Sequence, residues 1–283
     1  MSGPGERAVA VSGAELRAQA FGDPGASPIL LVMGHMASML WWPDGLCRVL
    51  ADAGRFVIRY DNRDTGASTA YPPGEPAYGS DDLVLDALAV LDGYGIERSH
   101  VVGMSAGGAV AQLLAANFPA GVLTLTAIST TDAAGPPPGL PGPSAAYLEH
   151  AGAFADLDWS DTRAIAEMLV AESRVLTGAG REFDEAATRE LVERDLARTV
   201  SPASLQNHAL LADGALRADV ADIEAPVLVI HGTGDPLFPF EHGVALASAA
   251  RHGALVALEG GGHELHRSDW DRIAEAIVRH TGV

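Results

Sequence analysis

The chain contains no lysine: all 18 of its basic residues are arginine. A P-loop, a pyridoxal-phosphate Schiff base and the Ser-x-x-Lys hydrolases all need a lysine amine, so none of these chemistries is available. Cys47 is the single cysteine, which excludes an internal disulfide framework and a cysteine-rich metal site. No Gly-x-Gly-x-x-Gly follows the early strands, so dinucleotide binding has no support. Basic charge is scarce as well: 37 acidic residues give a formal net charge of −19, unfavourable for nucleic acid and anionic membrane surfaces. There is no apolar run of spanning length and no charged-then-apolar leader with a cleavage site, so the expected location is cytoplasmic. With 283 residues the chain can form one large α/β domain or a core with an insertion.

What is present centres on Gly103-Met104-Ser105-Ala106-Gly107. The β-branched stretch Ser99-His100-Val101-Val102 precedes it and reads as a buried strand. After it, Gly108 to Ala116 reads as a helix ended by Asn117-Phe118-Pro119. A serine at a sharp strand-to-helix turn stands clear of its neighbours, and glycines two residues to either side are needed because a Cβ would collide across the turn. The idle-serine alternative, a Gly-rich tight turn, is decided by partners elsewhere in the chain.

A serine hydroxyl becomes a useful nucleophile when a base takes its proton and a carboxylate orients that base. In a doubly wound sheet these groups come from loops at the C-terminal ends of strands. The apolar run Ala225 to Ile230 leads through His231-Gly232-Thr233-Gly234 to Asp235. The run Ala254 to Leu258 leads through Glu259 and three glycines to His263. The order Ser105…Asp235…His263 is that of the α/β-hydrolases. Asp235 can instead cap the helix starting near Pro239, and Asp132, after the strand Leu123–Ile128, is the rival acid. His263 and His266 have a spacing that binds metal on a helix, but Gly260-Gly261-Gly262 argues for a loop. The oxyanion needs two donors: the backbone N–H groups of Ala106 and of His35, the latter on the loop after Pro28–Val32.

Leu31-Val32-Met33-Gly34, Trp42-Pro43 and the run Val57 to Ser68, followed by His100-Val101-Val102-Gly103 and Pro226 to Ile230, resemble the α/β-hydrolase superfamily. They are especially similar to the aclacinomycin-type methylesterases of anthracycline biosynthesis. The resemblance covers the first 130 or so residues well and the last 60 fairly, but not the middle. It implies a cofactor-free serine esterase with Ser105 as nucleophile, Asp235 as acid and His263 as base. It also implies a small-molecule ester substrate, such as the methyl ester of a bulky polyketide-like product. Met33 and Gly34 stand where most of the superfamily has His-Gly. His35 and Ala106 stand where those methylesterases have glycine and methionine. Backbone donors survive such changes and the pocket wall does not. Lactone opening, carbon–carbon hydrolysis and perhydrolysis use the same triad, and a non-hydrolytic binding or cyclisation protein keeps the same fold. No metal or other cofactor is expected, and a homodimer is left open.

Along the chain, Ala8–Val11 and Leu16–Ala20 read as a hairpin, and strands and helices then alternate to Ile128, the pattern of a mostly parallel doubly wound sheet. The rhythm breaks at the Pro-rich stretch 135–143. From Ser144 to about Asp219 the pattern is helical, notably at 161–176 and 184–198. The expected architecture is a core of residues 1–132 and 220–283 with a helical cap at 133–219, placed over Ser105 and setting substrate choice. Gly34, Met36, Trp41 and Met104 are the candidate pocket residues, with Met39 and Trp42 near them. The Asp61–Ser68 stretch reads as a structural loop stapled by Arg63 and Asp64, and Cys47 as helix packing.

Overall fold

A computed structural model describes residues 5–282. Its elements are β1 (Glu6–Val11), β2 (Ala14–Phe21), β3 (Ser27–Val32), α1 (Asp44–Asp52), β4 (Arg55–Tyr60), α2 (Ser80–Gly93), β5 (Ser99–Met104) and α3 (Ala106–Asn117). They continue with β6 (Val122–Ile128), α4 (Ala145–Ala153), α5 (Thr162–Leu176), α6 (Glu185–Arg198), β7 (Val227–Gly232), α7 (Phe240–Ala249), β8 (Gly253–Leu258) and α8 (Trp270–His280). The sheet order is β1-β2-β4-β3-β5-β6-β7-β8. The hairpin β1–β2 and the β2–β4 pair are antiparallel, and every later pair is parallel.

The central strands are apolar on both faces because both are covered. Leu30 and Val32 of β3 join one buried cluster with α2, α3 and α7. Ile29 and Leu31 point the other way, into a cluster with α1 and α8, as the two-residue strand period requires. Cys47 lies in the second cluster, and burial pushes its thiol up to about 12, leaving an inert packing group.

Between β6 and β7 the chain is helical. Side-chain caps start each helix: Ser144 accepts from Tyr147 N–H, Asp161 from Arg163 and Ala164, and Asp184 from Ala187. Helices α5 and α6 share a small apolar core of their own, built on Ile165, Met168, Leu169, Val192 and Leu196. A run of 3-10 turns follows over Pro202–Leu210. Among the described residues no helix is long and apolar enough to cross a membrane.

This helical block is fastened to the core at many points. Arg198 pairs with Asp61 at 2.8 Å and with Glu6 at 3.1 Å. Trp41 Nε1 donates to Asp195 at 2.8 Å, and Asn207 donates to Asp64 at 3.0 Å. The 61–68 loop is therefore held by three acidic or basic side chains rather than two. Arg63 forks onto Asp86 in a buried pair, Asp64 accepts from Tyr71 and Tyr78, and Asp61 accepts from Met39 and Ala67 N–H besides Arg198.

Candidate active site

Ser105 occupies the junction of β5 and α3 at φ 53, ψ −124, a region costly for any residue with a Cβ. Its neighbours make that conformation reachable. A Cβ on Gly103 would strike the Gly107 carbonyl, and one on Gly107 would strike the Val32 carbonyl. Three hydrogen bonds then lock the turn: Ser105 N–H to Ile128 O at 2.9 Å, Gly108 N–H to Ser105 O at 2.8 Å, and Thr130 Oγ1 to the same carbonyl at 2.8 Å.

Asp235 and His263 meet although 28 residues apart: His263 Nδ1 lies 2.8 Å from Asp235 Oδ2. The other oxygen, Oδ1, accepts the N–H groups of Leu237 and Phe238 at 2.8 and 2.9 Å. The turn-capping role and the histidine-orienting geometry thus coexist on one carboxylate, one oxygen each. Burial alone would raise this carboxyl; His263, His231 and the Phe238 N–H outweigh it and hold Asp235 below the usual carboxylate range. His231 backs the acid, its Nε2 2.7 Å from Phe238 O and 3.5 Å from Asp235 Oδ2.

Asp132 has no contact with His263; its carboxylate accepts Ala134 N–H at 2.9 Å, closing its own turn. His266 is turned elsewhere, with Nδ1 at 2.8 Å from Ser268 Oγ and Nε2 at 3.1 Å from Glu182 O. Among the described residues no group of three His, Cys, Asp or Glu side chains is arranged to hold a metal ion.

Ser105 and His263 line one cavity of about 460 Å³, together with His35, Ala106 and the four candidate pocket residues Gly34, Met36, Trp41 and Met104. Ala106 is the first residue of α3, so its N–H has no intrahelical acceptor. A Cβ on Gly34 would sit 3.0 Å from Ser105 Cβ and 3.6 Å from its Oγ, which shows how closely that backbone passes the hydroxyl. The next N–H but one, that of Met36, is taken by His208 Nδ1 at 3.1 Å. Met39 and Trp42 do not reach the cavity: both are fully buried, Trp42 against α1 and α8. The short 3-10 turn Met39–Trp41 sends Trp41 outward to the cavity while Met39 and Trp42 point inward.

The sequence matches the α/β hydrolase fold family over residues 27–268. The chain belongs to that family. It is similar to rhodomycin D methylesterase DauP of Streptomyces sp. (strain C5), at 36% identity over 282 residues covering 94% of each chain. Among solved structures it is similar to a hydrolase from Pseudomonas aeruginosa PA01, with TM-score 0.74 and 27% identity over the whole of both chains. The esterase RhEst1 from Rhodococcus sp. ECU1013 shares the fold at TM-score 0.80 and 24% identity over 98% of each chain.

In this α/β hydrolase the helical block supplies cavity residues that the sequence pattern did not single out: Tyr147, Leu169, Glu172, Ser173 and Leu176. The core adds Phe238, whose ring centroid is 5.8 Å from that of His263, and Glu264. The block also holds the histidine itself. His263 N–H donates to Leu176 O at 2.7 Å, at the end of α5, and a Cβ on Gly262 would collide with the carbonyls of Leu176 and Thr177. A backbone carbonyl leaves no signature in side-chain pattern, which is why the contact is invisible in the sequence.

Proposed function

We propose that this α/β hydrolase is a cofactor-free serine esterase working through an acyl-enzyme on Ser105. His263 takes the hydroxyl proton as Ser105 attacks the ester carbonyl, while Asp235 fixes the imidazole tautomer and stabilises the cation that forms. The N–H groups of Ala106 and His35 receive the oxyanion. His263 then passes its proton to the departing alcohol, and a water activated by the same imidazole releases the acid. The observation that carries this reading is the 2.8 Å contact between Asp235 and His263 on a wall of the cavity that also exposes a strained elbow serine.

The substrate we assign is a methyl ester of a bulky, largely apolar acid. A cavity of about 460 Å³ edged by Met33, Met36, Trp41, Met104 and Leu169 suits a multi-ring acyl group, and methionines adapt to irregular apolar shapes. The 36% identity to a methylesterase supports the same choice. Residues 133–219 act in this proposal as the specificity-setting roof, and 1–132 with 220–283 as the catalytic core. A cytoplasmic location and a substrate that is neither nucleic acid nor membrane belong to the proposal too.

The test is steady-state hydrolysis followed by acid release. Methyl esters of polycyclic aromatic acids should be turned over with higher kcat/KM than methyl acetate. Equal rates, or no release from any ester, would remove the reading.

A further inference from the structure

The lining of the cavity is unbalanced in charge. Asp132, Glu172 and Glu264 all contribute to it, and no arginine does. The two glutamates lie near each other and near His263: Glu172 comes from α5, and Glu264 follows the histidine in the chain. Glu264 receives Thr177 Oγ1 at 2.9 Å, whereas among the described residues no hydrogen-bond donor reaches Glu172. Both carboxyls are poorly hydrated. Burial raises Glu172, and burial together with Glu172 raises Glu264 to about 7, against the lowering effects of Thr177, Ser173 and His263.

Hydrolysis of an ester turns a neutral molecule into a carboxylate. Nothing cationic lines this cavity to receive such a charge except the transient imidazolium, and a bound carboxylate would face two acidic side chains. We propose that Glu172 and Glu264 form a charge filter: they exclude esters that already carry a carboxylate on the acyl side, and they destabilise the bound acid product so that it leaves. The proposal rests on the esterase reading and narrows its substrate class to esters without a free acid group. The mechanism is plain electrostatics. Like charges a few ångströms apart in a partly desolvated site lower affinity by about tenfold or more.

The experiment compares the 4-nitrophenyl ester of adipic acid monoamide with mono-4-nitrophenyl adipate, by release of 4-nitrophenol at pH 8; the two share the scissile ester and differ at the far end in one charge. Wild-type enzyme should favour the neutral ester by about tenfold or more in kcat/KM. Glu172→Gln and Glu264→Gln should each shift the ratio at least severalfold towards the acid. The ratio should also move towards the acid as pH falls below about 7, where Glu264 takes up a proton. The charged or titratable groups facing the cavity with it are Glu172 and, on α4, Tyr147 beside it, His263 on its own loop, and Asp132 and His35 on the opposite core loops; burial holds the His35 imidazole below its ordinary value and so neutral. His263 must be neutral for both substrates and cancels in the ratio. Calorimetric binding of 4-phenylbutyramide and 4-phenylbutyrate to Ser105→Ala gives the same comparison without turnover, and the amide should bind more tightly. Equal rates and equal binding, unchanged by either glutamine variant, would overturn the filter while leaving the esterase reading in place. Failure to cleave either ester, with the amide still preferred in binding, would overturn the esterase reading instead.

Discussion

Asp235 offers the sharpest separation of chemistry from folding, because its two oxygens do different work. Oδ1 accepts two backbone N–H groups of the 235–238 turn, and Oδ2 accepts from His263. Asparagine in its place keeps a carbonyl oxygen for the turn but presents an amide where the imidazole needs an acceptor. The ring then settles in the tautomer that cannot take the Ser105 proton, a change that lowers kcat by about 10⁴ in a serine triad. That factor corresponds to about 5.5 kcal/mol of lost transition-state stabilisation. Stability should respond differently. Asp235→Asn retains the two turn hydrogen bonds and should change unfolding free energy by about 1 kcal/mol or less, whereas Asp235→Ala loses both and should cost about 1–3 kcal/mol. Stopped-flow or pH-stat kinetics on a methyl ester, with urea unfolding of the same preparations, reads both quantities. Asp132→Asn is the control, since its carboxylate closes only its own turn. Asp235→Asn retaining activity within tenfold of wild type, or losing less than Asp132→Asn, would refute the assignment of the acid.

Further outcomes follow from other parts of the fold. Gly107→Ala drives a Cβ into the Val32 carbonyl and should destabilise the protein by about 1–3 kcal/mol or more, read as a lower urea midpoint; an unchanged midpoint would show that the elbow has slack. Gly262→Ala should lower kcat at least tenfold while circular dichroism stays native, because the new methyl meets the Leu176 carbonyl that holds His263 and the Thr177 carbonyl beside it. Asp195 is a pH probe of the roof: burial raises its carboxyl to about 6, so the folded state holds a proton that the unfolded chain releases at lower pH. Its ionisation therefore costs stability as pH rises from about 4 to 6, and above that the cost is complete, at most about 3 kcal/mol for a shift of this size. Asparagine still accepts from Trp41, so Asp195→Asn should raise Tm at pH 8 and leave it near wild type at pH 4; equal shifts at the two pH values would contradict this.

The loops of the candidate site were legible because each is announced locally. A short apolar strand runs into glycines and then into the residue that matters, three times over, and the strands lie side by side in the order β5, β6, β7, β8. The helical block was legible too, since the runs at 161–176 and 184–198 coincide with α5 and α6. Less was readable where the decision is made by packing. Met36 and Trp41 face the cavity while Met39 and Trp42 are interior, a choice set by the left-handed backbone at Met36 and the 3-10 turn Met39–Trp41, neither of which composition encodes. Glu172 and Ser173 sit beside the apolar stripe of α5, where periodicity says only that the stripe is buried. The least legible part is how the helical block is fastened. The pattern of residues 144–219 suggests helices placed over Ser105 but nothing of their hold on the loops beneath: Leu176 O accepts His263 N–H, and Ser144 N–H donates to Pro236 O at 2.7 Å, next to Asp235. Excising residues 144–219 should therefore weaken Ser105 reactivity as well as substrate choice, because both loops lose a support.

In the proposed reaction Ser105 carries the acyl group. Wild-type protein and Ser105→Ala should be treated with a fluorophosphonate probe, digested, and mapped by peptide mass spectrometry, with methyl-ester turnover measured on the same samples. The peptide containing Ser105 should be labelled stoichiometrically, turnover should fall in proportion to labelling, and Ser105→Ala should show neither labelling nor turnover. Labelling at another residue, or turnover by Ser105→Ala within tenfold of wild type, would contradict this role.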